Sequence, residues 1–174
     1  MKKRAGESRS RSDKKIDVKP TLSINLKDNL YTFAYLCDEP VKDVAEKLCI
    51  VGATSKVIID SMSKWFRRNY VYRNVFVVGH PEQPKLKVNY PKETGKVTIR
   101  FKREDYDLIS DLSHALDITP TATAGILIKM TLNSMEFIQQ YAQEHLMHLS
   151  PERKKRIDLF LNQLWKTNHE GKVL

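Results

Sequence analysis

Two short segments of the chain alternate apolar and polar residues, and each is followed by residues with helical spacing. The first segment is Thr21–Lys27 and the second is Lys96–Lys102. Apolar residues at every second position are typical of a strand that buries one face. The apolar positions are Leu22, Ile24 and Leu26 in the first segment, and Val97, Ile99 and Phe101 in the second. We therefore predict two strands, each with a polar face toward solvent.

Apolar residues at helical spacing follow both strands, between residues that commonly start or stop helices. The predicted helices are Asn29–Leu36, Val41–Leu48, a helix capped by Thr54 or Ser55, Arg103–Leu116, a helix capped by Thr121 that continues to Tyr141, and a last helix that begins at Ser150–Pro151. Tyr70–Val78 is rich in β-branched and aromatic residues and is predicted as a strand, and Leu86–Tyr90 is a second short candidate. The fold class expected is α+β and mostly helical.

Charge is unevenly distributed along the chain. Lys and Arg number 30 against 21 Asp and Glu, which gives a net charge of +9. Residues 1–19 hold eight of the basic residues and three of the acidic ones, with few apolar residues, so we predict a disordered basic arm. Three prolines between 81 and 91 place a linker at 79–95. The predicted divisions are 1–19, 20–78, 79–95, 96–148 and 149–174.

Several classes of function find no support in the sequence. No apolar run is long enough to span a membrane and no apolar segment follows the basic start, so a cytoplasmic protein is expected. Cys37 and Cys49 are too few for a zinc quartet and are expected to be buried thiols. Gly-rich phosphate loops, GxSxG and HExxH are absent. We therefore expect no enzyme activity, no catalytic residue, no metal ligand and no cofactor.

The outer faces of the two strands suggest contact with DNA. A strand of seven residues needs a partner, and two such strands paired antiparallel form a ribbon that fits the major groove. Arg and Lys can donate to guanine, Asn can pair with adenine, and Ser or Thr can bond several bases. The candidate base-reading residues are Lys96, Thr98, Arg100, Lys102, Ser23, Asn25 and Lys27.

The stretch Lys96–Met135 resembles the ribbon-helix-helix family, which includes repressors of the Arc, MetJ and CopG types. It has the family's order of strand, first helix, short turn and second helix. The resemblance implies that Thr98 and Arg100, with Lys96 or Lys102, contact bases in the major groove. Phosphate would be held at helix starts, which also follows from the free N–H groups there. The candidate phosphate-binding residues are Thr121, Ala122, Thr123, Thr54 and Ser55.

The first segment resembles the family less closely, because its predicted strand and helices are spread over more residues and include Pro40. Two such units would make a tandem arrangement similar to the TraY accessory proteins of conjugative plasmids. The two strands could pair within one chain or between two chains. Unpaired strands and the apolar residues Phe160, Leu164 and Trp165 favour at least a dimer.

These features predict a sequence-specific double-stranded DNA-binding regulator, a repressor of bacterial, plasmid or phage origin, associated with nucleoid or plasmid DNA. One alternative is a plasmid relaxosome accessory or partition protein. A second alternative is an antitoxin-like protein-interaction module.

Overall fold

The computed structural model describes the backbone of residues 14–170. Side chains are described as well, except at positions 135, 139, 142, 143, 145, 146, 165 and 167–170. The strands are β1 (Ile16–Val18), β2 (Thr21–Ser23), β3 (Tyr70–Tyr72), β4 (Val75–Val77), β5 (Thr94–Lys96) and β6 (Ile99–Phe101). The helices are α1 (Ile24–Cys37), α2 (Val41–Thr54), α3 (Lys56–Ser63), α4 (Arg103–Leu116), α5 (Pro120–Leu132), α6 (Met135–Leu146) and α7 (Pro151–Glu170). The protein is therefore an α+β protein dominated by helices, as predicted.

A two-stranded antiparallel ribbon joins the start of the chain to its middle. β1 pairs with β6 and β2 pairs with β5. Both pairings keep one register, with Val18 opposite Ile99 and Thr21 opposite Lys96. The ladder is interrupted at Pro20, which has no N–H to donate, although its carbonyl accepts from the Val97 N–H at 3.4 Å. The ribbon thus forms within a single chain.

The order strand, helix, helix occurs twice, with a constant offset along the chain. The helix starts Ile24 and Arg103 are 79 residues apart, and so are Val41 and Pro120. We call residues 16–54 unit 1 and residues 94–132 unit 2. The first helix of each unit has 14 residues and ends at an aspartate in the left-handed conformation. The two units therefore have the same backbone plan.

The two units share one hydrophobic core. α2 packs closely against α5, and it also lies under β6 of unit 2. In return, α5 lies under β1 and β2 of unit 1. The apolar face of the ribbon closes this core with six buried residues, which are Val18, Pro20, Leu22, Val97, Ile99 and Phe101. Each strand consequently depends on the other unit for both its partner and its packing.

The first strand lies earlier in the chain than the alternation predicts. The prediction of a strand over Thr21–Lys27 is wrong from Ile24 onward, where α1 begins. Ser23 caps this helix, because its Oγ accepts a hydrogen bond from the Leu26 N–H at 3.2 Å. The boundary of the predicted arm also needs correction, since Ile16–Val18 forms β1. Residues 1–13 of that arm lie outside the described residues.

The segment between the units folds back onto unit 2. The predicted strand Tyr70–Val78 is instead a hairpin of β3 and β4, which turns at Arg73 in the left-handed conformation. No strand forms at the second candidate, Leu86–Tyr90. The backbone N–H groups of Arg67 and Arg68 both donate to the Ala115 carbonyl, at 2.8 and 3.2 Å. These bonds attach the segment to the end of α4.

The last two helices pack against unit 1. α6 and α7 both contact α1, and Tyr141 of α6 donates a hydrogen bond to Glu39 Oε2 at 2.7 Å. Leu164, predicted as part of an exposed apolar surface, is buried. Phe160 is half-buried, and the side chain of Trp165 lies outside the described residues. α7 therefore contributes to the core and is a weaker argument for a dimer than the sequence suggested.

Candidate nucleic-acid interface

Eight side chains point away from the core along the ribbon. They alternate with the buried residues, so the pleat of the two strands places them on the opposite face. We call this set the outward face, and its members are Asp17, Lys19, Thr21, Ser23, Thr94, Lys96, Thr98 and Arg100. All are exposed except Thr21 and Ser23, which are half-buried. The outward face therefore offers hydrogen-bond donors and acceptors on an apolar-backed support.

An ion pair links the two strands at one end of the outward face. Asp17 and Arg100 are register partners, and Arg100 Nε lies 3.3 Å from Asp17 Oδ1. Their side chains are 47% and 63% exposed, so both remain open to solvent. The other end carries Ser23 opposite Thr94, preceded by Thr21 opposite Lys96. Three cations against one carboxylate give the outward face a net positive charge, which suits a polyanion.

Of the predicted base-reading residues, Lys96, Thr98 and Arg100 lie on the outward face. Lys102 immediately precedes α4 and is exposed just beyond the ribbon. Of the three candidates from the first segment, only Ser23 lies on the outward face, as the last residue of β2 opposite Thr94. Its Oγ caps α1, while Asn25 and Lys27 belong to that helix.

Lys27 nevertheless lies beside the ribbon. A Cβ atom added at Gly95 of β5 would stand 2.6 Å from the Lys27 Cδ, so a larger residue there would require this flexible side chain to shift. The Lys27 Nζ also lies 5.5 Å from the centre of the Tyr31 ring. Gly95 alternates with Val97 and Ile99, so Lys27 approaches β5 from the side of the apolar face and not from the outward face.

The predicted phosphate-binding residues of unit 2 are only partly available. Thr119, rather than Thr121, caps α5, because its Oγ1 accepts from the Ala122 N–H at 3.2 Å. Thr123 is buried, and both its N–H and its hydroxyl donate to the Thr119 carbonyl. Thr121 alone of the three is exposed. The prediction that Thr121 caps the helix is therefore wrong by two residues.

In unit 1 the predicted phosphate-binding residues do not lie at the helix start that corresponds to the start of α5. Thr54 is the last residue of α2, and its hydroxyl donates to the carbonyls of Ile50 and Val51 at 3.0 and 3.2 Å. Ser55 caps α3. The counterpart of the α5 start is the beginning of α2 at Val41, which follows Pro40.

Sequence reasoning missed half of the outward face. Asp17 and Lys19 had been assigned to the arm and Thr94 to the linker, while Thr21 began the predicted strand without being named as a base-reading residue. The alternation could have been extended backward, since Val18, Pro20 and Leu22 occupy every second position. Pro20 lies within that pattern. Because proline argues against a strand, this segment was not predicted as one.

Other chemistry finds little support in the described part of the chain. No group of three His, Cys, Asp or Glu residues there could hold a metal ion. Burial raises the pKa of the Cys37 thiol to about 12 and raises that of Cys49 as well, so neither is an activated nucleophile. Among the described helices, none has the length and apolar character needed to cross a membrane.

Comparison with protein-family models, curated proteins and solved structures found no match to this chain.

Proposed function

We propose that this protein is a sequence-specific double-stranded DNA-binding regulator, acting as a repressor, that reads the major groove with the outward face of its ribbon. The observation that carries the proposal is the outward face itself. Mostly exposed polar side chains follow both strands in a single register, over a largely buried apolar face. Two-stranded ribbons of this kind fit the major groove, which is about 12 Å wide.

The packing beneath the ribbon supports this proposal. α2 packs against β6, and α5 packs against β1 and β2, so helices of both units support the ribbon from below. Side chains that read bases must be held in place, because base edges are recognised through hydrogen bonds of defined geometry. A ribbon packed on helices therefore suits base recognition better than a loop without such support would.

The number of chains needed to form one DNA-reading ribbon follows from the strand pairing within the chain. One chain already supplies both strands of the ribbon, so a single copy is a complete reading unit. The expected dimer or higher oligomer would then place two or more reading units on neighbouring sites.

The test compares Arg100→Ala with Arg156→Ala. Arg156 is exposed on α7, so the control removes the same charge away from the ribbon. Arg100→Ala should leave folding nearly intact, because this side chain is 63% exposed. It should cost about 1–3 kcal/mol of binding to a preferred duplex and reduce discrimination at one base pair.

The measurement is binding of both variants to preferred and scrambled duplexes at one salt concentration. Equal affinity of Arg100→Ala and the parent for the preferred duplex would mean that the ribbon does not read bases. The repressor role itself depends on where the sites lie. Sites beside promoters support it, whereas sites confined to a transfer origin or centromere support a relaxosome or partition protein.

A specific surface favours the second candidate, a protein-interaction module. Val71 and Phe76 are register partners on the hairpin of β3 and β4, and they are 62% and 61% exposed. Exposed apolar pairs of this size are common where proteins dock. Loss of a co-purifying protein in Phe76→Ser, with no duplex binding by the parent, would support this candidate over DNA recognition.

A further inference from the structure

The two ends of the outward face differ in chemistry. Because the strands are antiparallel, equivalent positions of unit 1 and unit 2 lie at opposite ends of the ribbon. Asp17 lies opposite Arg100 toward one end, and the equivalent pair toward the other end is Thr21 opposite Lys96. A ribbon made from two copies of one strand would carry the same pair at both ends. This ribbon therefore presents two different ends to a duplex.

Asp17 is the only carboxylate on the outward face. General electrostatic attraction to DNA does not explain a negative charge at this position. Phosphates repel a carboxylate, so Asp17 weakens any binding that depends only on charge. Its Oδ1 lies 3.3 Å from Arg100 Nε, which places a hydrogen-bond acceptor directly beside a donor. Both side chains remain about half exposed or more, so the pair can still meet another surface.

A G·C base pair offers the complementary pattern in the major groove. Guanine presents two acceptors, O6 and N7, which suit an arginine, while cytosine presents the N4 amino donor, which suits a carboxylate. We propose that Asp17 is a specificity-determining residue, which together with Arg100 recognises one G·C base pair at one end of a non-palindromic site. This inference rests on the DNA-binding function proposed above.

The experiment selects bound duplexes from a randomised pool with three full-length proteins: the parent, Asp17→Asn and Asp107→Asn. Asp107 is the matched control, since it is an exposed carboxylate 3.2 Å from Arg103 on α4, outside the two strands. Each variant removes one negative charge, so both variants have the same net charge. Differences between them then report the position of the carboxylate.

The parent should select a non-palindromic sequence. Asp17→Asn should lose its preference for the G·C pair at one position by about fivefold or more while keeping the other positions. Asp107→Asn should select the same sequence as the parent. A merely structural ion pair would instead lower binding to every sequence alike, without changing the preference at any single position.

Three results would overturn the inference. A palindromic parental sequence would remove the asymmetry, and an unchanged preference in Asp17→Asn would remove the role of this residue. In both cases DNA binding itself would stand. Failure of the parent to bind any duplex at low salt would instead overturn the proposed function, and the inference with it.

Discussion

Unit 1 and unit 2 share a backbone plan but are supported by different parts of the chain. Their first helices end at the equivalent residues Asp38 and Asp117, both in the left-handed conformation. Asp38 pairs with Arg153 of α7 at 3.2 Å, and its side chain is 71% exposed. Asp117 is 22% exposed and pairs with three cations from the segment between the units, which are Arg67, Arg68 and Lys85. Unit 2 thus has the better-anchored turn.

A second difference lies where the units meet. Gly52 of α2 and Thr131 of α5 occupy equivalent positions, 79 residues apart, and they face each other. A Cβ atom at Gly52 would stand 2.5 Å from Thr131 Oγ1, so the larger residue occupies the space that the smaller one leaves. Two copies of unit 2 would bring threonine against threonine. The comparison teaches that the residues at this contact fit the other unit rather than a second copy of their own.

The largest effects should come from removing equivalent core residues of the ribbon. Leu22 and Phe101 are equivalent and fully buried. Leu22→Ala should cost about 2–5 kcal/mol of unfolding free energy and Phe101→Ala about 3–5 kcal/mol, because each leaves a cavity. Urea unfolding should show one cooperative transition for both variants, since the units share a core. A second transition that kept the parental midpoint would show that the units fold independently.

Two glycine substitutions should differ in their effect on stability, which tests how tight the α2–α5 contact is. Gly52→Ala should destabilise by about 1–3 kcal/mol, because its Cβ overlaps the buried Thr131 side chain. Adding Thr131→Ala should restore most of this loss. Gly125→Ala, also within a helix, meets its nearest atom at 3.4 Å and should be neutral or gain up to about 1 kcal/mol. Equal thermal unfolding midpoints for both single variants would contradict the tight contact.

The smallest effect should come from the two turn aspartates. Hydrogen bonds from Lys85 and Arg68 hold the pKa of Asp117 below its ordinary value. Its ionised form therefore stabilises the fold above the unfolded-state pKa of about 3.9, and this contribution disappears as the pH falls through the folded-state pKa. At pH 7, Asp117→Asn should lower the thermal midpoint more than Asp38→Asn.

The pH series provides the check on that prediction. The difference between the parent and Asp117→Asn should shrink as the pH is lowered from 5 toward 2. A difference that stayed constant over this range would assign the effect to the turn conformation rather than to the charge.

Much of unit 2 could be predicted from its residues. The helix Arg103–Leu116 begins and ends where the helical spacing indicated, and Val97, Ile99 and Phe101 are buried as the alternation requires. Unit 1 was harder to predict, because Leu22, Ile24 and Leu26 satisfy an alternating pattern although the last two lie in a helix. The cap at Ser23 decides whether the residues after it form a strand or a helix. Its hydrogen bond to the Leu26 N–H forms only when α1 has formed.

The amino-acid sequence by itself determined the α+β class, the order of strand, helix and helix, and the outward set Lys96, Thr98 and Arg100. These features depend on local propensity and on the spacing of the apolar residues, and both can be read from the sequence alone. Only the tertiary structure decided that the strands pair within one chain, that Asp17 meets Arg100, and that Gly52 accommodates Thr131. Such contacts join residues about 80 positions apart, and their formation depends on the shape of the shared core rather than on any local pattern.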